Sequence, residues 1–217
     1  MLLSLREVAL IFDLDNTLID SRIDFLAVRH RLIDLLYKEG AAGQSRDDLI
    51  RLALPELVAL GGRANPGVAD RMWEIIGEAE RAGLENATMV AHAPDVVRTL
   101  SERGYRLALL TNNARTGVVE RLRLFRLEPY FNVIATRDDV PALKPLPDGI
   151  RHILERLPGV RRTYLIGDAW IDAQAAHTAG ARFIGFGSKE ETVKARSLPI
   201  WRWITDLRDL LAIRFEE

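Results

Sequence analysis

Cysteine is absent from this 217-residue chain, which excludes disulfides, thiolate metal sites and cysteine nucleophiles. No apolar run approaches the roughly 20 residues that a membrane-spanning helix needs, so no membrane partner is expected. The opening Met1-Leu2-Leu3-Ser4-Leu5 is too short for a secretory leader, and the expected location is cytoplasmic. An excess of either charge is missing as well. Lys+Arg total 30 against 31 Asp+Glu, a net charge of −1; without a basic stripe, nucleic acid is not an expected partner. Lysine itself is scarce, confined to positions 38, 144, 189 and 194. Arginine's forked group suits ion pairing, and the scarcity makes each lysine worth locating. The four histidines, 30, 92, 152 and 177, show no metal-ligand spacing. His30 falls on the apolar stripe of a predicted helix, where partial burial is expected.

What is present is a chain 48% hydrophobic and 28% charged, as in a soluble protein with a real core. Its length suits one domain, or a core with one inserted module. The organising stretch is Val8-Ala9-Leu10-Ile11-Phe12-Asp13-Leu14-Asp15-Asn16-Thr17. A continuous apolar run suits a strand buried on both faces of a parallel sheet. Asp13 should then stand at the strand's carboxyl end, the edge where open α/β sheets bind ligands. Two acids two residues apart on extended chain project to one side. They suit a divalent cation, or a division of nucleophile and acid–base duties. An ordinary Asp-rich turn with Asn16 or Thr17 as a helix cap would read the same way locally. No Gly-rich turn follows the run, which argues against a dinucleotide-binding site.

Residues 19–88 read as all-helical, without a strand signal. One helix spans 19–37 and stops at Gly40. A second runs from the N-cap Ser45 to about Leu60 and breaks at Gly61-Gly62. A third starts at Asn65-Pro66, runs to about Ala82 and stops at Gly83. From Pro94 onward, strands and helices alternate. Strands are expected at 106–111, 131–136, 163–168 and 182–186, with a short edge strand at 200–204. Helices are expected at 95–103, 114–125, 146–157, 171–179 and 206–213. Such alternation implies a parallel sheet with right-handed crossovers. The gap between the first two strands is about three times that of the others, so 19–88 is read as a helical module inserted into an α/β core formed by 1–18 and 89–217.

Four strand ends should deliver polar groups to one edge: Asp13 and Asp15; Thr111-Asn112-Asn113; Lys144-Pro145 after the third strand; and Gly167-Asp168 with Asp172 one helical turn on. Acids for a cation, a hydroxyl and amides for oxyanions, and one lysine together suit phosphoryl chemistry.

Asp13-Leu14-Asp15-Asn16-Thr17, Thr111-Asn112, Lys144-Pro145 and Gly167-Asp168-Ala169-Trp170-Ile171-Asp172 resemble, in order and spacing, the four motifs of the haloacid dehalogenase-like (HAD) hydrolase superfamily. The resemblance covers nearly the whole chain, and the helical insertion resembles the cap of the phosphoglycolate phosphatase-like branch. It implies a Rossmann-like parallel sheet with helices on both faces and a helical cap. It implies Asp13 as nucleophile, forming an aspartyl-phosphate, and Asp15 as acid and then base. Asp13, the backbone carbonyl of Asp15, and Asp168 would bind Mg²⁺; Thr111, Asn112 and Lys144 would hold the substrate. Asp172 would orient Lys144 or a metal-bound water. The implied activity is Mg²⁺-dependent hydrolysis of a small phosphorylated metabolite by a monomer or homodimer. A phosphomutase is the nearest alternative, and a non-catalytic binding protein a more distant one. The family often has Gly where Asn16 stands; Asn tolerates left-handed backbone, so no loss is expected. Dehalogenases generally lack the second acid, so Asp15 argues for phosphate. Trp170, at a variable position, is expected to pack rather than face substrate. Arg22 and Arg46 are the insertion's candidate anion contacts, with a solvated surface role the plainer expectation.

Overall fold

The computed structural model describes residues 3–216; Met1 and Leu2 of the opening run lie outside the described residues. It divides into two compact units, one of residues 1–20 and 87–217, the other of Ser21–Asn86. In chain order the elements are β1 (Val8–Phe12), β2 (Ile19–Asp20), α1 (Phe25–Lys38), α2 (Arg46–Leu49), α3 (Leu54–Ala64), α4 (Pro66–Glu85) and β3 (Thr88–Met89). They continue with α5 (Ala93–Glu102), β4 (Arg106–Leu110), α6 (Arg115–Leu124), β5 (Val133–Ala135), α7 (Asp148–Arg156), β6 (Arg162–Gly167), α8 (Trp170–Ala179), β7 (Arg182–Phe186), α9 (Glu190–Lys194) and β8 (Arg202–Ile204).

Six strands form a parallel sheet in the order β5-β4-β1-β6-β7-β8. This is the mixed α/β architecture with flanking helices that the strand–helix alternation implied. All five residues of β1 are buried, as a strand with neighbours on both sides and layers on both faces requires. Ala9 and Ile11 join Ala108, Leu110 and Ala135 in one apolar cluster with Ile150 and Ile153 of α7 and Ala173 and Ala176 of α8. Charges have no place inside such a strand, so the chain turns polar where β1 ends.

The segment after β1 differs from the sequence expectation. Residues 19–24 are not helical. Ile19–Asp20 instead pairs antiparallel with Thr88–Met89 as a two-stranded ribbon. A two-residue strand is too short to show any period, so this pair left no signal.

The helical unit departs in three further places. The helix expected from 46 to about 60 is two, α2 and α3, with Pro55 in the first turn of the second, where its missing N–H costs nothing. Gly61 and Gly62 do not break a helix; they lie inside α3. A Cβ at Gly61 would come within 2.7 Å of the Met72 sulfur and 2.9 Å of Val68 Cγ1, so the glycine lets α3 and α4 approach. Gly83 likewise lies within α4. Asn65 caps α4 as expected, its Oδ1 accepting from Gly67 N at 2.9 Å. Around these contacts Leu32, Ile33, Leu36, Leu57, Val58 and Met72 form the unit's own core. His30 points away from it and is exposed; the buried stripe of α1 is Val28, Leu32, Ile33 and Leu36.

Candidate active site

The carboxyl ends of β1, β4 and β6, with the loop before α7, bring the polar residues of the four motifs together within the α/β unit. After β1 the chain turns on Asn16, whose φ of 58° is left-handed, a conformation asparagine accepts. The amides of Leu18 and Ile19 both donate to Leu14 O. This tight turn brings Thr17, fully buried, back to donate its hydroxyl to Asp13 Oδ2 at 3.2 Å.

Lys144 is the centre of the cluster. Its side chain is 2% exposed, yet its ammonium has three acceptors: Asp13 Oδ1 at 2.5 Å, Asp172 Oδ1 at 2.6 Å and Leu110 O at 3.1 Å. Three donors meet three acceptors, which is what a buried ammonium needs. Burial alone would lower its pKa, but the adjacent Asp13 and Asp172 carboxylates outweigh it and hold the pKa above that of an ordinary lysine. The Lys144 ammonium therefore anchors Asp13 as the structure stands; direct contact with a bound group would require exchange of one of these acceptors.

Asn112 fixes the other end of the same residue. Its Nδ2 donates to Lys144 O at 2.9 Å and its Oδ1 accepts from Lys144 N at 3.0 Å. The side-chain amide thus splints the lysine's backbone, ahead of a cis Lys144-Pro145 bond. Thr111 is buried and accepts from Asn113 N at 3.2 Å. Asn113, read from the sequence only as one of the strand-end amides suited to oxyanions, donates from Nδ2 to Asp15 Oδ2 at 2.8 Å. The contact joins residues 98 apart in sequence, and its only advance sign was adjacency to Thr111-Asn112.

On the other side of β1, Asp168 follows β6 and Asp172 lies in the first turn of α8. Asp172 Oδ2 accepts from Ala169 N at 3.1 Å, so both its oxygens carry hydrogen bonds. A Cβ at Gly167 would come within 2.5 Å of Asp172 Cγ; only glycine leaves room for the carboxylate there. Burial pushes the Asp172 carboxyl up, to about 7, against the downward pull of Lys144. Burial and the nearby Asp13 also push Asp168 up, while Lys189 draws it down.

Among the described residues, Asp13, Asp168 and Asp172 each offer a carboxylate oxygen, all within 4.8 Å of one another. Hard oxygen donors, buried and mutually repelling, fit a hard divalent cation such as Mg²⁺. The trio contains Asp13 and Asp168 of the expected ligand set and adds the Asp172 carboxylate. The Asp15 expectation concerned its backbone carbonyl; its side chain is the one that Asn113 holds. Lys189 Nζ forms an ion pair with Asp168 Oδ2, and nothing in its sequence surroundings pointed to it. Trp170 packs against the sheet-side core with the Arg196 guanidinium 3.6 Å from its ring centre. Arg46 pairs with Asp34 at 2.7 Å and stacks on Tyr37, both within the helical unit. Arg22 is exposed, at a left-handed φ of 55°.

This fold and this set of strand-end residues define a class, and comparison with known proteins names it. The haloacid dehalogenase-like hydrolase family profile matches residues 10–186. The chain belongs to that family. It is 29% identical over 210 residues to the pyrophosphatase PpaX of Bacillus pumilus, with 94% of each chain covered. It is 30% identical over 196 residues to a plasmid-borne phosphoglycolate phosphatase of Cupriavidus necator, covering 82% of this chain and 79% of that one. Among solved structures it is similar to a HAD-superfamily hydrolase, subfamily IA, from Geobacter sulfurreducens, with a TM-score of 0.59, 26% identity and 94% of each chain covered.

Proposed function

We propose that this protein is a Mg²⁺-dependent phosphatase of small phosphorylated metabolites that works in the cytoplasm through an aspartyl-phosphate on Asp13. The observation that carries the reading is the buried Lys144 ammonium. It holds a carboxylate oriented at a strand end, with a second acid two residues on and a third, Asp168, beside it. The phosphatase and pyrophosphatase names of the relatives support the same chemistry.

In this reading Asp13 attacks phosphorus and the ester P–O bond breaks. Asp15, held by Asn113, gives its proton to the departing oxygen. Asp15 then takes a proton from water, the water attacks phosphorus, and inorganic phosphate leaves with Asp13 restored. Asp13 and Asp168 would hold Mg²⁺, which when bound screens the phosphoryl oxygens from the carboxylates. Lys144 keeps Asp13 aimed through their ion pair; Asn112 fixes the lysine's backbone; Thr111 stands at the same edge. We assign the insertion of residues 19–88, whose helices run from α1 to α4, to substrate selection as a cap, with hinges near 19–21 and 89–94.

The test uses p-nitrophenyl phosphate. Turnover should require Mg²⁺ and vanish in Asp13→Asn. Asp15→Asn should give a burst of up to one equivalent of p-nitrophenol per enzyme and then slow turnover. An aryl oxide leaves without a proton, but the hydrolysis step still needs the base. Stopped-flow absorbance reads both phases. Full activity in excess EDTA after stripping, or equal losses on aryl and alkyl phosphates without a burst, would overturn the assignment.

A further inference from the structure

Two of the four lysines in this arginine-rich chain stand at the acidic cluster, and the reaction above employs just one of them. Lys144 is sealed in: 2% of its side chain is exposed and its ammonium has three acceptors. Lys189 has the opposite character. Its side chain is 48% exposed, while the Asp168 carboxylate that it contacts is 9% exposed. It reaches the cluster from the loop after β7, immediately before α9. The base of that loop is pinned: Gly187 N donates to Ile204 O at 3.0 Å, and Trp203 Nε1 donates to Gly187 O at 2.8 Å. Beyond Gly187, the lysine is a flexible stem with a point charge at its tip.

We propose that Lys189 is a tethered counter-ion for the metal-free site, neutralising Asp168 until a divalent cation takes that carboxylate over. The inference rests on the Mg²⁺ reading above and adds a cost to metal binding that the acid cluster alone would not impose. Asp168 lies close to Asp13, and two neighbouring buried carboxylates repel unless a cation is near. Lys144 offsets part of that repulsion from the Asp13 side, and an ammonium on Asp168 supplies a second cation from within the chain. Mg²⁺ and an ammonium compete for the charge of one carboxylate, so the Asp168–Lys189 pair is given up as the metal binds. Lysine suits a group that must let go. An arginine fork would grip the carboxylate in two places and yield less readily. In a chain that uses arginine nearly everywhere else, that choice has a chemical reason here.

The experiment is isothermal titration of MgCl₂ into the full chain, comparing wild type, Lys189→Met and Lys189→Arg, with circular dichroism in saturating Mg²⁺ to establish that each is folded. Loss of the competing charge should tighten Mg²⁺ binding by roughly fivefold in Lys189→Met, the size expected of a half-exposed ion pair. Lys189→Arg should bind no more tightly than wild type. A second readout needs no variant. Mg²⁺ should speed acylation of the Lys189 amine in the wild-type protein, followed by peptide mass spectrometry, because the amine leaves its carboxylate. Equal Mg²⁺ affinity in wild type and Lys189→Met with unchanged labelling would overturn the counter-ion role and leave the metal site standing. Weaker binding in Lys189→Met would also overturn it, as would tightening in Lys189→Arg equal to that in Lys189→Met. Absence of Mg²⁺ binding in all three proteins would overturn both this inference and the metal reading.

Discussion

In the α/β unit a Cβ at Gly167 would lie 2.5 Å from Cγ of Asp172; in the helical unit a Cβ at Gly61 would lie 2.7 Å from Sδ of Met72. The steric device is the same and what it admits is not. At Gly167 the space goes to a buried carboxylate that pairs with Lys144. At Gly61 it goes to an apolar side chain between two helices. The α/β unit buries Asp13, Asp15, Lys144, Asp168 and Asp172 at one sheet edge. In the helical unit Arg31–Glu78 and Arg46–Asp34 pair with more than half of each side chain exposed, where such pairs contribute about 0–1 kcal/mol each. At that sheet edge charge is organised at depth; in the helical unit these two pairs lie at the surface over an apolar core, although Glu80 of α4 is buried.

The sharpest way to break the comparison is to remove the charge at its centre. Lys144→Met should reduce p-nitrophenyl phosphate turnover by about 10³-fold or more and lower the unfolding free energy in urea by about 3–5 kcal/mol. It leaves the Asp13 and Asp172 carboxylates facing each other without a cation. A stability loss under about 1 kcal/mol would mean that the cluster tolerates its own repulsion, and the depth of the charge would lose its meaning. The glycine pair comes next. Gly167→Ala and Gly61→Ala should each cost about 1–3 kcal/mol from overpacking, but only the first should lower kcat, by more than about tenfold, since it displaces Asp172 from Lys144. Gly61→Ala should keep kcat on the small aryl substrate within about twofold. Matching kcat losses in the two variants would erase the division between the units.

The smallest expected effect involves neither glycine. Tyr105 donates to Glu216 Oε2 at 3.0 Å, and burial, helped by that acceptor and its charge, raises the Tyr105 pKa to about 12. The folded state thus holds the phenol proton through a range in which the unfolded chain releases it. The corresponding stability is complete below pH 10 and is lost as pH rises from about 10 to 12. Urea midpoints should fall over that range in wild type and fall less in Tyr105→Phe.

How much of this was legible beforehand depended on range. β1, β4, β6 and β7 are apolar runs with sheet neighbours on both sides, so each announced itself. Asp13, Lys144, Asp168 and Asp172 stood out by spacing, and the first two meet through an ion pair at 2.5 Å. The partners of Asn113 and Lys189 were not legible, because Asp15 and Asp168 lie 98 and 21 residues away and no local pattern encodes such a meeting. Asn112 was read as a group for substrate, whereas its amide is spent on the backbone of Lys144, again a tertiary fact. Gly61-Gly62 misled for the complementary reason. Glycine is a helix breaker by propensity, but a close helix crossing overrides propensity, and the need for that crossing is visible only once Met72 is placed.

The position of β1 has a consequence for how the chain is made. It pairs with β4 from Arg106 onward on one side and with β6 from Arg162 onward on the other. A ribosome adding about 5–20 residues per second needs roughly 10–30 s to travel from Val8 to the end of β6. Throughout that interval five consecutive apolar residues with open hydrogen-bonding edges have no native neighbour on their second side. The strand that carries Asp13 is therefore translated long before its second sheet neighbour, and its nascent form is the point where a holding chaperone has the most to protect.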